Sequence, residues 1–224
     1  VGRMFKRILA IGDIHGQYDK LVNLWEKINY DDNEDFVVFL GDYIDRGTKS
    51  IECLRFVRDL VKSNNNVHAL CGNHEAMFKE YFQNNQLRCT NIYEDWVQVG
   101  NGGNVTLQQF QEYMVSNPTE MKQLIEFIFE LDYVNTAIDG VLFVHAGVNP
   151  RICELGRQPI NDFFNNYEGD KLVVVGHTPV QIYTDGATKP LMLKNNIIML
   201  DTGSFLPNGK ITCMDIKTKK YWQA

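Results

Sequence analysis

Four of the five histidines stand in short glycine-flanked turns, each placed directly after an apolar run. The run RILAI (7–11) leads into Gly12-Asp13-Ile14-His15-Gly16. FVVFL (36–40) leads into Gly41-Asp42 and on to Asp45-Arg46-Gly47. VHALC (67–71) leads into Gly72-Asn73-His74-Glu75, VLFV (141–144) into His145-Ala146-Gly147, and LVVV (172–175) into Gly176-His177-Thr178-Pro179. Imidazole and carboxylate without thiolate is the donor set of Mn, Fe, Zn or Co rather than of Cu(I) or an iron–sulfur cluster. Six candidate ligands (Asp13, His15, Asp42, Asn73, His145 and His177) are too many for one ion that keeps an open position. They suit two ions sharing a carboxylate, and two ions about 3.5–4 Å apart clamp a phosphoryl group and lower the pKa of a bound water toward ~7.

The neighbouring residues fit phosphoryl chemistry. Arg46 offers a planar fork matched to phosphate oxygens. His74, next to Asn73, could protonate a leaving oxygen, and Asp45 could orient His74 and keep it charged. Glu75 is placed to complement the N-terminus of a following helix. Asp201 follows a sixth apolar run, NIIML, and either supports a ligand histidine or opens a turn.

Such residues converge only if the runs are strands of one sheet edge. Residues 7–11, 36–40 and 67–71 alternate with two amphipathic stretches. Asp19–Asn29 has Leu21, Leu24, Trp25 and Ile28 on one face; Ile51–Ser63 has Ile51, Leu54, Val57, Leu60 and Val61. This βαβαβ order predicts parallel pairing with right-handed crossovers, and parallel strands bring their carboxyl ends to a common edge where ligands bind. Residues 76–135 read as mostly helical, with Pro118-Thr119-Glu120 as a helix start and 101–104 as a loop. The last third reads mainly as strands: 141–144, 172–175, 191–193, 197–200 and 211–216.

A chain of 224 residues, with 44% apolar and 22% charged residues, has the composition of an ordinary globular protein. A single domain over residues 1–224 with a helical insert at about 76–135 is expected. No apolar run is long enough to span a membrane, and the N-terminus lacks the apolar core of a signal peptide; a cytoplasmic location is expected, and separately a monomer. Twenty-two basic against 28 acidic residues give a formal charge of −6, which disfavours nucleic acid and suits a protein that collects cations. The five cysteines form no CxxC and are expected to be reduced thiols.

In that order, GDIHG, GDYIDRG, GNHE, HAG and GHTP resemble the motifs of the calcineurin-like metallophosphoesterases. GDYIDRG with GNHE resembles the PPP-type serine/threonine protein phosphatases, and the compact spacing is similar to their bacterial and phage branch. WVQVGNGGNVT (96–106) resembles the Trp…Gly-Gly…Thr stretch of that branch. The resemblance implies an α/β fold: a metallophosphoesterase β-sandwich of two mixed sheets flanked by helices. It implies that Asp13 and His15 hold the first metal, Asp42 bridges, and Asn73, His145 and His177 hold the second, with Mn²⁺ expected and Fe or Zn as alternatives. His74 becomes the general acid paired with Asp45, and Arg46 with Asn73 binds phosphate. The expected activity is a metal-dependent phosphomonoesterase in which water attacks phosphorus directly. Its expected substrate is a phosphoserine or phosphothreonine protein. The alternative is a symmetrical diadenosine tetraphosphate hydrolase, or another phosphatase of nucleotides or nucleic-acid ends. The second arginine that related phosphatases carry between HAG and GHTP has no matching motif here; Arg151 and Arg157 are the candidates.

Overall fold

A computed structural model describes residues 4–87, 94–98, 100–147 and 157–224. The chain begins β1 (Arg7–Ile11), α1 (Tyr18–Ile28), β2 (Asp35–Phe39), α2 (Ser50–Ser63) and β3 (Val67–Ala69). Four helices follow: α3 (Asn73–Leu87), α4 (Glu94–Val97), α5 (Gly103–Ser116) and α6 (Pro118–Glu130). Then come β4 (Val134–Asn135), β5 (Val141–Val144), α7 (Arg157–Asn166), β6 (Leu172–Val175), β7 (Leu191–Leu193), β8 (Ile197–Met199), β9 (Thr212–Asp215) and β10 (Tyr221–Gln223).

The strands form two five-stranded mixed sheets, ordered β10-β9-β1-β2-β3 and β4-β5-β6-β8-β7. β1, β2 and β3 pair in parallel in the first sheet, and β5, β6 and β8 in the second. Period-two alternation explains why two sheets stack. Leu9, Ile11, Val37 and Phe39 face a helical layer built from α1, α2, α3 and α6. Their neighbours Ala10, Phe36, Val38 and Leu40 face Phe143, Val174, Ile198 and Leu200 of the second sheet. Val173, Val175, Ile197 and Met199 point outward onto Ile160 and Phe164 of α7. The molecule is therefore two mixed sheets flanked by helices, as the resemblance implied.

The helices follow their apolar spacing. α1 buries Leu21, Leu24 and Ile28 and stops at Asn29, a left-handed cap with φ +49°. α6 opens on Pro118, where a missing N–H costs nothing. Two local expectations are corrected. α5 begins at Gly103, inside the expected loop: a Cβ on Gly103 would lie 2.1 Å from the Trp96 carbonyl oxygen, so glycine lets the helix start against Trp96. The last third also contains α7, whose Ile160 and Phe164 are one turn apart and cover the second sheet. Cys53, Cys71 and Cys213 are buried free thiols, while Cys89 and Cys153 lie outside the described residues. No described helix is long and apolar enough to cross a membrane.

The two sheets approach closely where β1 ends. A Cβ on Gly12 would fall 2.2 Å from the Leu200 carbonyl oxygen, a backbone atom that cannot swing aside. Gly12→Ala should therefore force the sheets apart and destabilise the protein by roughly 1–3 kcal/mol or more. An unchanged thermal unfolding midpoint would show that this approach is not constrained.

Candidate metal centre

All six parallel strands deliver a polar residue to one place. Asp13 follows β1, Asp42 follows β2, Asn73 follows β3, His145 follows β5, His177 follows β6 and Asp201 follows β8. Asp13, His15, Asp42, His74 and His145 are buried together with Asp45, Glu75 and Asp201. Two groups, His15/Asp42/His74 and Asp42/His145/His177, each bring ligand atoms within 4.8 Å of one another, and they share Asp42.

The turns that carry these side chains are bent into the left-handed region. His15 (φ +49°), Asp42 (+55°), Asp45 (+74°), Arg46 (+67°) and His177 (+65°) all lie there. Non-glycine residues adopt it at a cost, and such strain collects where surrounding contacts over-determine the backbone. Here the main clamp is Glu75. Its carboxylate accepts hydrogen bonds from the N–H groups of Asp42 (2.9 Å), Tyr43 (2.7 Å), Ile44 (3.3 Å) and Gly72 (2.9 Å). Burial, then the nearby Asp42, push its pKa up to about 7. Glu75 thus serves the neighbouring loop, not merely the start of its own helix.

The histidines are oriented by their other ring nitrogens. His15 Nδ1 lies 2.9 Å from the Ile44 carbonyl oxygen and His145 Nδ1 2.8 Å from that of Leu40. A carbonyl only accepts, so both Nδ1 atoms carry a proton, and both Nε2 atoms are turned toward the centre. His145 Nε2 then faces Asn73 Oδ1 at 3.0 Å and Asp42 Oδ2 at 3.3 Å. His177 Nδ1 is 2.9 Å from the same Asn73 oxygen. His15 Nε2 lies 3.6 Å from Asp42 Oδ2 and 3.8 Å from Asp13 Oδ2. Ring nitrogens and oxygens packed against one another away from solvent are the arrangement a cation completes, and imidazole with carboxylate suits divalent metals. Burial, with His145 nearby, lowers the His177 pKa to about 3, and burial with His74 lowers that of His15 well below the usual value. Both shifts favour the neutral ring, the form in which imidazole can bind a metal. Burial alone would raise Asp42, but His145 and His74 outweigh it and hold the carboxylate ionised.

His74 has the opposite character. Burial disfavours its charge, yet Asp42 and Asp45 prevail and raise its pKa. Its Nδ1 is 2.6 Å from Asp45 Oδ2, which leaves Nε2 facing Asp42 at 4.0 Å. Asp45 is itself cradled by residues of the helical insert. The Trp96 indole N–H donates to Oδ2 (2.8 Å) and the Thr106 hydroxyl to Oδ1 (2.6 Å). The 96–106 stretch is legible in the sequence as a motif, but nothing in it marks Trp96 or Thr106 as partners of Asp45. Arg46 Nη1 donates to His15 Nε2 (2.9 Å), and its guanidinium lies 4.1 Å over the Phe205 ring. The structure thus brings Asp13, His15, Asp42, Asp45, Arg46, Asn73, His74, His145 and His177 together. Arg151 lies outside the described residues, and Arg157 opens α7.

Residues 6–200 match the family model of the calcineurin-like phosphoesterases. The chain belongs to this family. It is 29% identical to the bis(5′-nucleosyl)-tetraphosphatase PrpE [asymmetrical] of Bacillus velezensis, over 88% of this chain and 84% of that one. It is 48% identical to the symmetrical bis(5′-nucleosyl)-tetraphosphatase of Buchnera aphidicola, over 30% of this chain and 23% of that one. A crystal structure provisionally described as a diadenosine tetraphosphatase superposes with TM-score 0.66 at 18% identity, covering 100% of this chain and 95% of that one, and shares the fold. Eight curated relatives, these two included, all bear the name bis(5′-nucleosyl)-tetraphosphatase. That finding overturns the expected placement among the PPP-type serine/threonine protein phosphatases. The ordered motifs lie at the candidate metal centre, and they do not distinguish one phosphoester substrate from another.

Two outcomes test the centre. Asp42→Asn should weaken both cations by at least the 10–100-fold typical of a lost supporting partner, read by calorimetric titration with Mn²⁺. Two cations binding with native affinity would rule out the shared position. Glu75→Gln turns amide hydrogens toward backbone N–H groups and should destabilise the metal-free protein by about 1–3 kcal/mol. An unchanged midpoint would remove the clamp.

Proposed function

We propose that this calcineurin-like phosphoesterase hydrolyses dinucleoside polyphosphates, using a dinuclear divalent-metal centre. The observation that carries the reading is similarity over 88% of the chain to a protein named as an asymmetrical bis(5′-nucleosyl)-tetraphosphatase. The symmetrical relative matches over only 30% of the chain, which favours cleavage into unequal nucleotides. The acidic balance of 28 against 22 charged residues suits a small anion held by cations better than a nucleic acid held by a basic face.

In this reading Asp13, His15 and Asp42 hold one cation, and Asp42, Asn73, His145 and His177 the other. Mn²⁺ fits this donor set, as do Fe and Zn. Bound there, the pair would lower the pKa of a water and neutralise phosphoryl oxygens. Asp42 is the shared ligand because it alone stands within 4 Å of both His15 Nε2 and His145 Nε2 among the carboxylate contacts described. His74 is the poorer ligand and the better acid, because its environment favours the protonated ring. Arg46 donates to the same His15 lone pair that a cation would take; once displaced, its fork is free to bind two phosphoryl oxygens.

The reaction forms a bond from water oxygen to phosphorus and breaks a phosphoanhydride P–O bond. His74 Nε2 gives its proton to the departing oxygen, and the Asp45 contact on Nδ1 keeps the ring aimed. Asp45, Trp96 and Thr106 do not meet substrate; they hold that pair in register.

The direct test is turnover with Mn²⁺ of diadenosine tetraphosphate against a phosphoserine/phosphothreonine peptide, on one preparation. The dinucleotide should have the higher kcat/KM and yield AMP plus ATP. A strong preference for the peptide would overturn the reading, and two ADP would reverse the cleavage assignment. His74→Asn should slow an alkyl phosphate ester, whose alkoxide needs a proton, by about 10²–10⁴-fold. The dinucleotide, whose leaving phosphate is far less basic, should lose less. Equal losses would make His74 a positioning group rather than an acid.

A further inference from the structure

Asp201 follows β8 and is 1% exposed. Its Oδ1 accepts from the Gly203 N–H at 2.9 Å, which is the turn-opening role its position suggested. Its Oδ2 is sealed from solvent, and no N–H or hydroxyl donor among the described residues reaches it. The carboxyl group of Asp13, equally buried at 1% exposure, lies within hydrogen-bonding reach of Asp201. Asp13 is held from its other side by the His177 N–H, at 3.0 and 3.2 Å from its two oxygens.

The pairing is built into the backbone. Gly12 allows the end of β1 to lie against the Leu200 carbonyl, so the residues that follow, Asp13 and Asp201, meet across the two sheets. Two facing buried carboxyl groups can both be ionised only where positive charge stands beside them. The turn does not explain the acid, because an asparagine would accept from Gly203 equally well.

We infer that Asp201 is a positioning residue of the metal centre: its carboxylate backs Asp13 and adds a fixed negative charge to the cation held at Asp13 and His15. The inference rests on the dinuclear centre and not on the choice of substrate. It makes the two cation sites unequal. Asp13, Asp42 and Asp201 surround the first, whereas the second has Asp42 with the neutral Asn73, His145 and His177. Asp201 acts through Asp13, as outer partners that orient and charge a ligand do.

The test is Asp201→Asn, which keeps the turn acceptor and removes only the charge. Calorimetric titration with Mn²⁺ should show one of the two binding events weakened about 10–100-fold and the other little changed. The metal-free variant should unfold at the same temperature as the parent or higher, because the asparagine amide can donate to Asp13 while its oxygen still accepts from Gly203. Parental affinity at both sites would overturn the inference, as would equal weakening of both. A lowered metal-free midpoint with unchanged affinities would assign Asp201 to the turn alone. Should Asp201→Asn fail to fold, Asp201→Ser, whose hydroxyl still reaches for Gly203, is read in the same way. Failure of both variants to fold would also assign Asp201 to the turn and overturn the inference. None of these readings uses turnover of the dinucleotide, so the substrate assignment stands or falls separately.

Discussion

The structure depends on keeping one carboxylate, Asp42, ionised where water cannot reach it. A buried charge is tolerated only with partners on every side. Asp42 has His145, His15 and His74 around its Oδ2 at 3.3, 3.6 and 4.0 Å, and its Oδ1 accepts from the His74 N–H at 3.1 Å. These partners come from the ends of β1, β3 and β5, so the charge is stable only when both sheets are assembled. The same geometry leaves lone pairs converging on a shared carboxylate, which is what a pair of cations needs. Stability of the fold and capacity for metal are, at this point, one requirement.

That requirement explains the backbone. Five site residues hold positive φ, a conformation that would relax if the loops were free. Glu75 prevents this by binding four backbone N–H groups, three of them in the Asp42 loop. Tight approach finishes the work. A Cβ on Gly72 would fall 2.0 Å from Asp42 Oδ1, and one on Gly176 would fall 2.2 Å from Asp13 Oδ1. Glycine is needed there because the carboxylates occupy the space a side chain would take.

The helical insert reaches the same centre by another route. Trp96 and Thr106 fix Asp45, Asp45 fixes His74, and Gly102 packs against the Arg46 backbone. The helices of residues 73–130 therefore do more than cover the first sheet. They set the orientation of His74, whose environment favours a proton, while burial lowers the pKa of His15 and His177. Opposite protonation preferences thus stand side by side in one buried cluster.

Sequence alone determined the strands, the ligand types and the edge at which they meet. Apolar alternation and strand-end glycines are local properties, and parallel βαβ order leaves few ways to arrange the ends. Residues 7–11, 141–144, 172–175 and 191–193 are strands with the expected boundaries. Helix α7 went unread because Ile160 and Phe164 are only two apolar positions, too few to distinguish a helix face from an irregular stretch. Substrate class stays open in the motifs for a related reason: they lie at the candidate metal centre, and metal-assisted chemistry is common to many phosphoesters. Only tertiary structure decided which distant residues touch: Trp96 on Asp45, Glu75 on the Asp42 loop, Asp201 on Asp13. Those contacts depend on how two sheets and an insert stack, and stacking is a property of whole apolar surfaces that no short motif carries.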